Sequence, residues 1–157
     1  MHRSILNKMI YRRHNLKNIL KLRINEAIFM QNKLKKINYW KYDCSDGFII
    51  IAGKTAKDND LLSLKIALPN DNWFHVSGDS GSHVVLHHPD NNKPEKIHLK
   101  EAASVAAWHS KSRNSKSVFV THTLVKYVKK IKSSPAGSVI VKNSKKIKVV
   151  PSNKPKP

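Results

Sequence analysis

The first regular hydrophobic pattern of the chain lies between residues 14 and 37. Its apolar side chains recur at intervals of about one helical turn, at Leu16, Leu20, Ile24, Ala27 and Ile28. Lysine and arginine occupy the other faces, which is typical of an amphipathic helix. The pattern predicts an N-terminal helix that either packs on the rest of the protein or binds RNA or a membrane surface.

Beyond residue 42 the apolar positions form short segments separated by turn residues. The continuous run Phe48–Ala52 lies between the turn-forming pair Asp46-Gly47 and Gly53, which predicts a buried strand. A glycine-rich turn at 78–81 separates two further predicted strands, Trp73–Val76 and His83–His87. The other predicted strands are Val118–Thr121, Ser138–Val141 and Ile147–Val150.

Two helices are predicted between these strands. Residues 58–60 (Asp-Asn-Asp) are suitable N-caps for a short helix Leu61–Leu68, which ends before Pro69. The segment Glu101–Ser110 is rich in alanine, which favours a helix and allows close packing against a sheet. Strands combined with a few single helices predict an α+β domain with a mostly antiparallel sheet.

The charge of the chain is strongly positive and unevenly distributed. Lys and Arg outnumber Asp and Glu by 30 to 10. Residues 1–42 contain 11 Lys or Arg and one acid, Glu26, whereas residues 102–157 contain 13 Lys or Arg and no acid. A charge run is often only a solvated surface, but a long segment without counter-charge favours a polyanionic partner such as RNA, DNA or an anionic membrane.

These features divide the chain into three parts. Residues 1–41 form a basic extension with the amphipathic helix, and residues 42–150 form the α+β domain. Residues 151–157 are a Pro/Lys-rich tail that is expected to be disordered. Met1 and Met30 are both compatible with the start of translation.

Two short motifs are similar to catalytic loops but lack the residues that the chemistry needs. Residues 78–81 (Gly-Asp-Ser-Gly) match a serine-protease loop, yet no histidine has the context of a general base for Ser80. Gly53-Lys54-Thr55 matches the end of a phosphate-binding loop, yet Phe48 stands where that motif requires glycine. We therefore expect that the protein is not an enzyme and has no cofactor.

The histidines and the single cysteine predict no metal centre. His75, His83, His87 and His88 cluster in the sequence, but the chain has no zinc-binding motif and only one cysteine, Cys44. A structural hydrogen-bonding role and an RNA-facing role for these histidines both remain open. A lone cysteine also excludes an intrachain disulfide and favours a reducing compartment.

Four segments together resemble one known family. They are "SDGFIIIAGKTAKDNDLLSLKIA", "DNWFHVSGDSGSHVVL", "EAASVAAWHSKSRNSKSVFVTHTLVKYVKK" and "PAGSVIV", in that order. They resemble the NFACT-R domain, the RNA-binding module at the C-terminus of NFACT proteins. Those proteins act in ribosome-associated quality control, on the large subunit beside a stalled peptidyl-tRNA. The match covers most of the chain, from about Tyr42 to Val150.

The resemblance assigns motifs to positions of this sequence. The structural motif residues that it implies are Asp46, Gly47, Gly53, Asn59, Asp60 and Gly81. Two positions depart from the family pattern, since Ser80 replaces a common proline and residues 135–137 (Pro-Ala-Gly) replace Lys-Pro-Gly. The first of these departures creates the similarity to a protease loop.

The resemblance also implies an RNA-binding surface. Its predicted residues are Lys54, Lys65, Trp73, His75, Ser82, His83, Lys126, Lys129 and Lys130. Among them, the lysines would contact phosphates, and Trp73, His75, Ser82 and His83 would form the turn that shapes the binding face. No metal and no small-molecule substrate are expected.

The resemblance also suggests a cellular context. The other domains of full-length family members do not fit within residues 1–41, so we expect a stand-alone form without their tail-elongating activity. The expected partner is rRNA or tRNA on the large ribosomal subunit, in a bacterial-type cytoplasm or alternatively in a mitochondrial or plastid matrix. The alternative hypothesis is a protein–protein or anionic-membrane adaptor that uses the basic segments, although membrane association is not the favoured interpretation.

Overall fold

The computed structural model describes residues 2–155, and three α-helices and eight strands lie within that range. The helices are α1 (His2–Leu34), α2 (Ala56–Leu61) and α3 (Lys96–Trp108). The strands are β1 (Tyr39–Asp43), β2 (Ile49–Gly53), β3 (Asn72–Val76), β4 (Val84–His87), β5 (Val118–Leu124), β6 (Val128–Lys129), β7 (Ile140–Val141) and β8 (Lys145–Val149).

Six of the strands form one antiparallel sheet in the order β1-β2-β4-β3-β5-β8, and β6 pairs with β7 in a small second sheet. Apolar runs such as Ile49–Gly53 form interior strands of the large sheet, where Ile50 and Ile51 are buried on opposite faces. The predicted α+β fold with a mostly antiparallel sheet is confirmed.

One face of the sheet is covered by α3. The side chains of Ala102, Ala103, Ala106 and Ala107 are completely buried, and their small size lets the helix lie close to the strands. The predicted alanine-rich helix is confirmed, but it begins five residues earlier, at Lys96. It begins there because the Glu95 side chain and the His98 ring satisfy the free backbone N–H groups of the first turn.

The opposite face is covered by α2, by the π-helical turn Leu62–Ile66 that continues it, and by the end of α1. The predicted cap of α2 was wrong. The Thr55 hydroxyl accepts a hydrogen bond from the Asp58 backbone N–H at 3.1 Å, and the Asp58 carboxylate accepts one from Thr55 N–H at 3.1 Å. This reciprocal pair starts the helix at Ala56, so Asp58 to Asp60 lie within it.

Helix α1 is longer than the sequence pattern indicated, and most of it is exposed. Only its last turns bury side chains against the domain, through Met30 and Leu34, while Leu16, Leu20 and Ile24 are more than half exposed. The end of the helix therefore packs on the domain, and the binding of RNA or a membrane surface by its exposed part stays a prediction. Among residues 2–155, no helix has both the length and the apolar character that crossing a membrane requires.

Two parts of the chain differ further from the sequence-based expectation. Strand β1 was not predicted, although Trp40 and Tyr42 pack against the α3 side of the sheet. The tail was expected to be disordered, but up to Pro155 it is described, and Ser152 N–H donates to the Ser104 carbonyl at 3.1 Å. Residues 156–157 lie outside the described residues.

Candidate nucleic-acid interface

An open cleft of about 910 Å³ lies where β1, the end of β2, the β3–β4 connection and the end of α3 meet. The loop 136–138 forms another part of its wall. The side chains with which it can bind a ligand are Trp40, Lys54, His75, Trp108, His109, Lys111 and Arg113. The cleft therefore combines aromatic rings with cations, which are the groups that bind bases and phosphates.

A stacked aromatic pair forms part of the cleft wall. The rings of Trp40 and His109 are parallel within 18°, and their centroids are 4.0 Å apart. Burial, together with the positive charges of Arg113 and Lys54, lowers the His109 pKa to about 4. The imidazole is therefore neutral at pH 7, and a hydrogen bond of 2.7 Å joins the Tyr42 hydroxyl to His109 Nε2. The hydrogen bond holds the ring in its stacked position.

Cations surround this aromatic pair. Lys54 Nζ lies 5.1 Å from the centroid of the Trp40 ring, a cation–π distance. Lys111 and Arg113 are exposed at the same cleft. The nearby carboxylate of Asp79 already accepts hydrogen bonds from the Ser112 hydroxyl at 2.7 Å and from Ser80 N–H at 2.8 Å, which lower its pKa. Asp79 therefore stays ionised, but Lys54, Lys111 and Arg113 outnumber it, so the cleft is suited to an anionic ligand.

Two glycines allow the backbone to approach closely around the cleft. A Cβ at Gly81 would lie 2.8 Å from Ser110 Cβ and 3.0 Å from the His109 carbonyl oxygen. A Cβ at Gly53 would collide with Asn59 Oδ1. Glycine at these two positions thus brings the β3–β4 connection against the end of α3 and brings β2 against α2. These contacts place His109 and Lys54 at one cleft.

The predicted RNA contacts Trp73 and His83 are buried, each with 2% of its surface exposed. A hydrogen-bonded chain connects them: Trp73 Nε1–H donates to Ser63 Oγ at 2.9 Å, and Ser63 O–H donates to His83 Nδ1 at 2.8 Å. His83 Nε2–H then donates to the Gly137 carbonyl at 3.1 Å. We assign this tautomer because Nε2 lies closer to the Gly137 carbonyl oxygen than Nδ1 lies to the Asn59 carbonyl oxygen, which is 3.3 Å away, and because the Ser63 hydroxyl can donate to Nδ1.

The chemistry of His83 fits that structural role. Burial, followed by the nearby charge of His75, lowers the pKa of His83 to about 4, so the ring is neutral at pH 7. The prediction of direct RNA contact by Trp73 and His83 is therefore corrected, because both side chains are inside the protein. They position the loop around Gly137, which lines the cleft.

The motif residues around this turn are tied together by further hydrogen bonds. Asn59 Oδ1 accepts from His83 N–H at 3.0 Å, and Asn59 Nδ2 donates to the Gly81 carbonyl at 3.4 Å. The buried Ser82 hydroxyl donates to the Gly53 carbonyl at 2.6 Å. Ser82 therefore joins the turn to β2, and its hydroxyl proton is not available to a ligand. His75 is partly exposed at the cleft.

Lys130 acts as a clamp in the structure. Its ammonium group lies 2.9 Å from Asp60 Oδ2, 2.5 Å from the Pro135 carbonyl oxygen and 2.9 Å from the Ser138 carbonyl oxygen. An ammonium group has three N–H donors, so these three acceptors use all of them. In the structure Lys130 holds the loop 135–138 against α2, and its contact with phosphate stays a prediction.

The other predicted lysines lie away from the cleft. Lys126 Nζ donates to Asn70 Oδ1 at 3.2 Å, just before β3 begins, whereas the cleft lies beyond the end of β3. Five strand residues span about 14 Å, so Lys126 and the cleft are at opposite ends of the strand. Lys65 lies beside α1, where its carbonyl accepts from Lys33 Nζ at 2.6 Å. Lys129 is exposed on β6.

The motif Asp46-Gly47 forms a turn at the other end of α3 from the cleft. Both residues have positive φ, of 57° and 78°. His98 Nε2 lies 3.0 Å from Asp46 Oδ2, and His88 Nε2 donates to the Asp46 carbonyl at 2.8 Å. His87 Nδ1 lies 2.8 Å from the Asp71 carboxylate. These histidines hold structural elements together, and in the described part of the chain no group of three or more possible ligands is arranged for a metal.

Several residues of the cleft were not predicted from the sequence: Trp40, His109, Lys111 and Arg113. A signal for three of them was present, because "HSKSR" covers the last two residues of the predicted helix Glu101–Ser110 and the start of the loop after it, and loops often carry ligand contacts. Trp40 lies in β1, whose alternation "YWKYD" is short and was not interpreted as a strand. Nothing in the sequence pairs Trp40 with His109.

Comparison with known proteins places the chain in a family. The model of the NFACT protein RNA binding domain matches residues 36–147. The Rqc2 homolog RqcH of Bacillus subtilis (strain 168) is 33% identical over 110 residues, which are 70% of this chain and 19% of the relative. The Rqc2 homolog RqcH of Streptococcus suis (strain 05ZYH33) is 35% identical over 133 residues, which are 84% of this chain and 23% of the relative.

A solved structure gives the same result. The C-terminal part of the fibronectin/fibrinogen-binding protein from Streptococcus suis matches with a TM-score of 0.69 and 34% identity, over 74% of this chain and 46% of that chain. The chain spans about a fifth of the length of the RqcH relatives. Because the family model covers most of the chain, including every element from β1 to the middle of β8, the chain belongs to the NFACT protein RNA binding domain family.

Proposed function

We propose that the chain binds RNA through the cleft beside Trp40 and His109. The observation that carries this proposal is the combination, at one cleft, of a stacked neutral aromatic pair with Lys54, Lys111 and Arg113. Cations bind the phosphate backbone without regard to sequence, and aromatic rings stack on bases. An acidic protein would form ion pairs with the cations, but it has no bases that could stack on the aromatic pair.

The cellular role that we propose is association with the ribosome in quality control of translation, with rRNA or tRNA on the large subunit as the ligand. Two findings support it: the family is described as an RNA-binding domain, and the curated relatives are named Rqc2 homologs. Those relatives are bacterial, which supports the bacterial cytoplasm as the location. We propose that the chain acts by binding and catalyses no reaction.

The test of RNA binding is a titration of a fluorescently labelled RNA at several salt concentrations. The triple variant Lys54→Gln, Lys111→Gln, Arg113→Gln removes three cations from the cleft, so the slope of log affinity against log salt should become less steep by about 2 for a single strand. The control is Lys100→Gln, an exposed lysine on α3 that does not line the cleft. An unchanged slope in the triple variant would contradict the cleft as the site.

The test of ribosome association is sedimentation of cell extract that contains the tagged protein, at low and high salt. Salt-sensitive migration with the large subunit, together with enriched rRNA or tRNA, is the expected result. If the protein stays at the top of the gradient under both conditions and enriches no RNA, the ribosomal role is wrong.

A second candidate function is that of an adaptor in which α1 binds an acidic protein partner. Apolar side chains of this helix such as Leu16, Leu20 and Leu22 are more than half exposed, and Glu26 is the only acid among residues 1–42. Deleting residues 1–29 leaves Met30 and Leu34 packed on the domain. An adaptor would then lose its partner, whereas RNA binding at the cleft would keep most of its affinity.

A further inference from the structure

Part of one face of the large sheet is open. On the face opposite α3, the buried cluster beneath α2 and the end of α1 includes side chains from β1 to β4, such as Ile51, Trp73 and Val85. On β5, which lies between β3 and β8, the side chain of Phe119 on this face is 50% exposed. A large aromatic side chain on an interior strand is thus left facing solvent.

The surroundings of Phe119 are cationic. The strand register places Phe119 opposite Lys148 and Thr121 opposite Lys146, so both lysines lie on the open face. Lys148 Nζ is 5.9 Å from the centroid of the Phe119 ring. An exposed ring with lysines on the neighbouring strand can stack on a base while the ammonium groups bind the flanking phosphates.

The open face is continuous with the cleft. A second, shallow cavity of about 750 Å³ is lined by Thr121 and Lys146 from the open face and by His75, Ser80 and Lys111, which also line the cleft. The acid in this cavity is Asp79, whose carboxylate is already bonded to Ser112 and to Ser80 N–H. Phe119 lies two residues before Thr121 in β5, so the Cα atoms of the two residues are about 7 Å apart.

We propose that the open face of β5 and β8 binds a segment of single-stranded RNA that continues from the cleft, with one base stacked on Phe119 and the backbone along Lys146 and Lys148. This inference rests on the proposed RNA-binding function and specifies the form of the RNA. The bases of a duplex are stacked on each other and cannot lie on a protein ring. The site therefore selects unpaired nucleotides.

The test compares a 12-nucleotide single strand with a blunt duplex of the same sequence, using the full chain. Phe119→Leu keeps an apolar side chain but removes the ring, and we expect it to lower the affinity for the single strand by about tenfold while the affinity for the duplex is unchanged. Phe119→Trp keeps a stacking ring and should retain the affinity for the single strand. The control is Ile97→Ala, an apolar side chain on α3 that is 48% exposed.

The outcomes separate this inference from the proposed function. If Phe119→Leu binds the single strand as well as the wild type, while the triple cleft variant loses affinity, the open face is not part of the site and the cleft remains. If the double variant Lys146→Gln, Lys148→Gln lowers the affinity for both forms of RNA equally and Phe119→Leu lowers neither affinity, the face acts only as a cationic surface and stacking on Phe119 is excluded. If the wild type binds neither RNA, the proposed function fails as well.

Discussion

The two faces of the large sheet are built from the same strands but have different surroundings. On the α3 face, side chains are buried across five strands, from Ile50 on β2 to Val149 on β8. On the opposite face, the buried cluster includes side chains of β1 to β4, Thr123 near the end of β5 is also buried, and Phe119 on β5 faces solvent. The covered face is the main core of the domain, and the partly open face leads into the candidate RNA site.

The difference is already present in the spacing of apolar residues. Strands β2 and β4 are apolar at consecutive positions because both of their faces are buried. Strands β5 and β8 alternate, with Val120 and Ile147 toward α3 and Thr121 and Lys146 on the other side. An alternating strand in a sheet therefore indicates which part of a face stays available for a ligand.

The largest expected effect compares two phenylalanines on neighbouring strands. Phe74 is completely buried on the α3 face, so Phe74→Ala should lower the free energy of unfolding by about 3–5 kcal/mol. Phe119→Ala removes the same atoms from the open face and should change it by no more than about 0.5 kcal/mol. Urea unfolding followed by circular dichroism measures both. Equal losses in the two variants would show that the open face is covered in solution.

The next effect is a loss of stability in acid, which involves both faces. The pKa of His83, on the side of α2, and that of His109, at the end of α3, are lowered to about 4 from an ordinary 6.5, in both cases mainly by burial. The unfolded chain therefore binds protons first as the pH falls below 6.5. The contribution of His83 should be constant above that pH and then fall by about 1.4 kcal/mol per pH unit until about pH 4, and that of the half-buried His109 should be smaller because solvent screens its charge.

Urea unfolding at pH 7.5, 5.5 and 4.5 measures this loss, which reaches about 3 kcal/mol for His83 alone. Burial also lowers the pKa values of His75 and His122, which adds to the effect in the same direction. In His83→Gln the stability should depend less steeply on pH than in the wild type. The same slope in the wild type and the variant would mean that His83 is not buried in solution.

The smallest expected effect concerns the clamp at the border between α2 and the cleft. Lys130→Gln leaves Asp60 without its ion pair, and we expect a loss of about 1 kcal/mol of stability and a several-fold loss of RNA affinity as the loop 135–138 loosens. Because the ammonium group is saturated, the salt dependence of RNA binding should not change. The neighbouring exposed Lys129 provides the matched control, Lys129→Gln. A salt slope reduced by about 0.7 in Lys130→Gln would show that Lys130 contacts phosphate after all.

The fold was largely predictable, and the candidate site only in part. Local signals such as Asp46-Gly47 and the alanines of α3 located most strands and helices, but they misplaced the start of α2, because a Thr55 cap was overlooked beside a run of three other capping residues. Among the predicted RNA contacts, Lys54 and His75 do line the cleft. Trp73 was wrongly predicted as an RNA contact. The alternation of side chains along β3 shows that the strand has two faces, but it does not show which of them α2 covers.

The sequence by itself determined the strand spacing, the turns, the excess of positive charge and the family motifs, because each of these depends on residues that are close in the chain. The tertiary structure alone decided which side chains form the cleft, since Trp40, Lys54 and His109 come from three distant segments. It also decided that Lys130 is a clamp, because an ammonium group's availability depends on how many acceptors surround it in space. Burial and hydrogen-bond saturation are properties of the packed chain, so no pattern along the sequence reveals them.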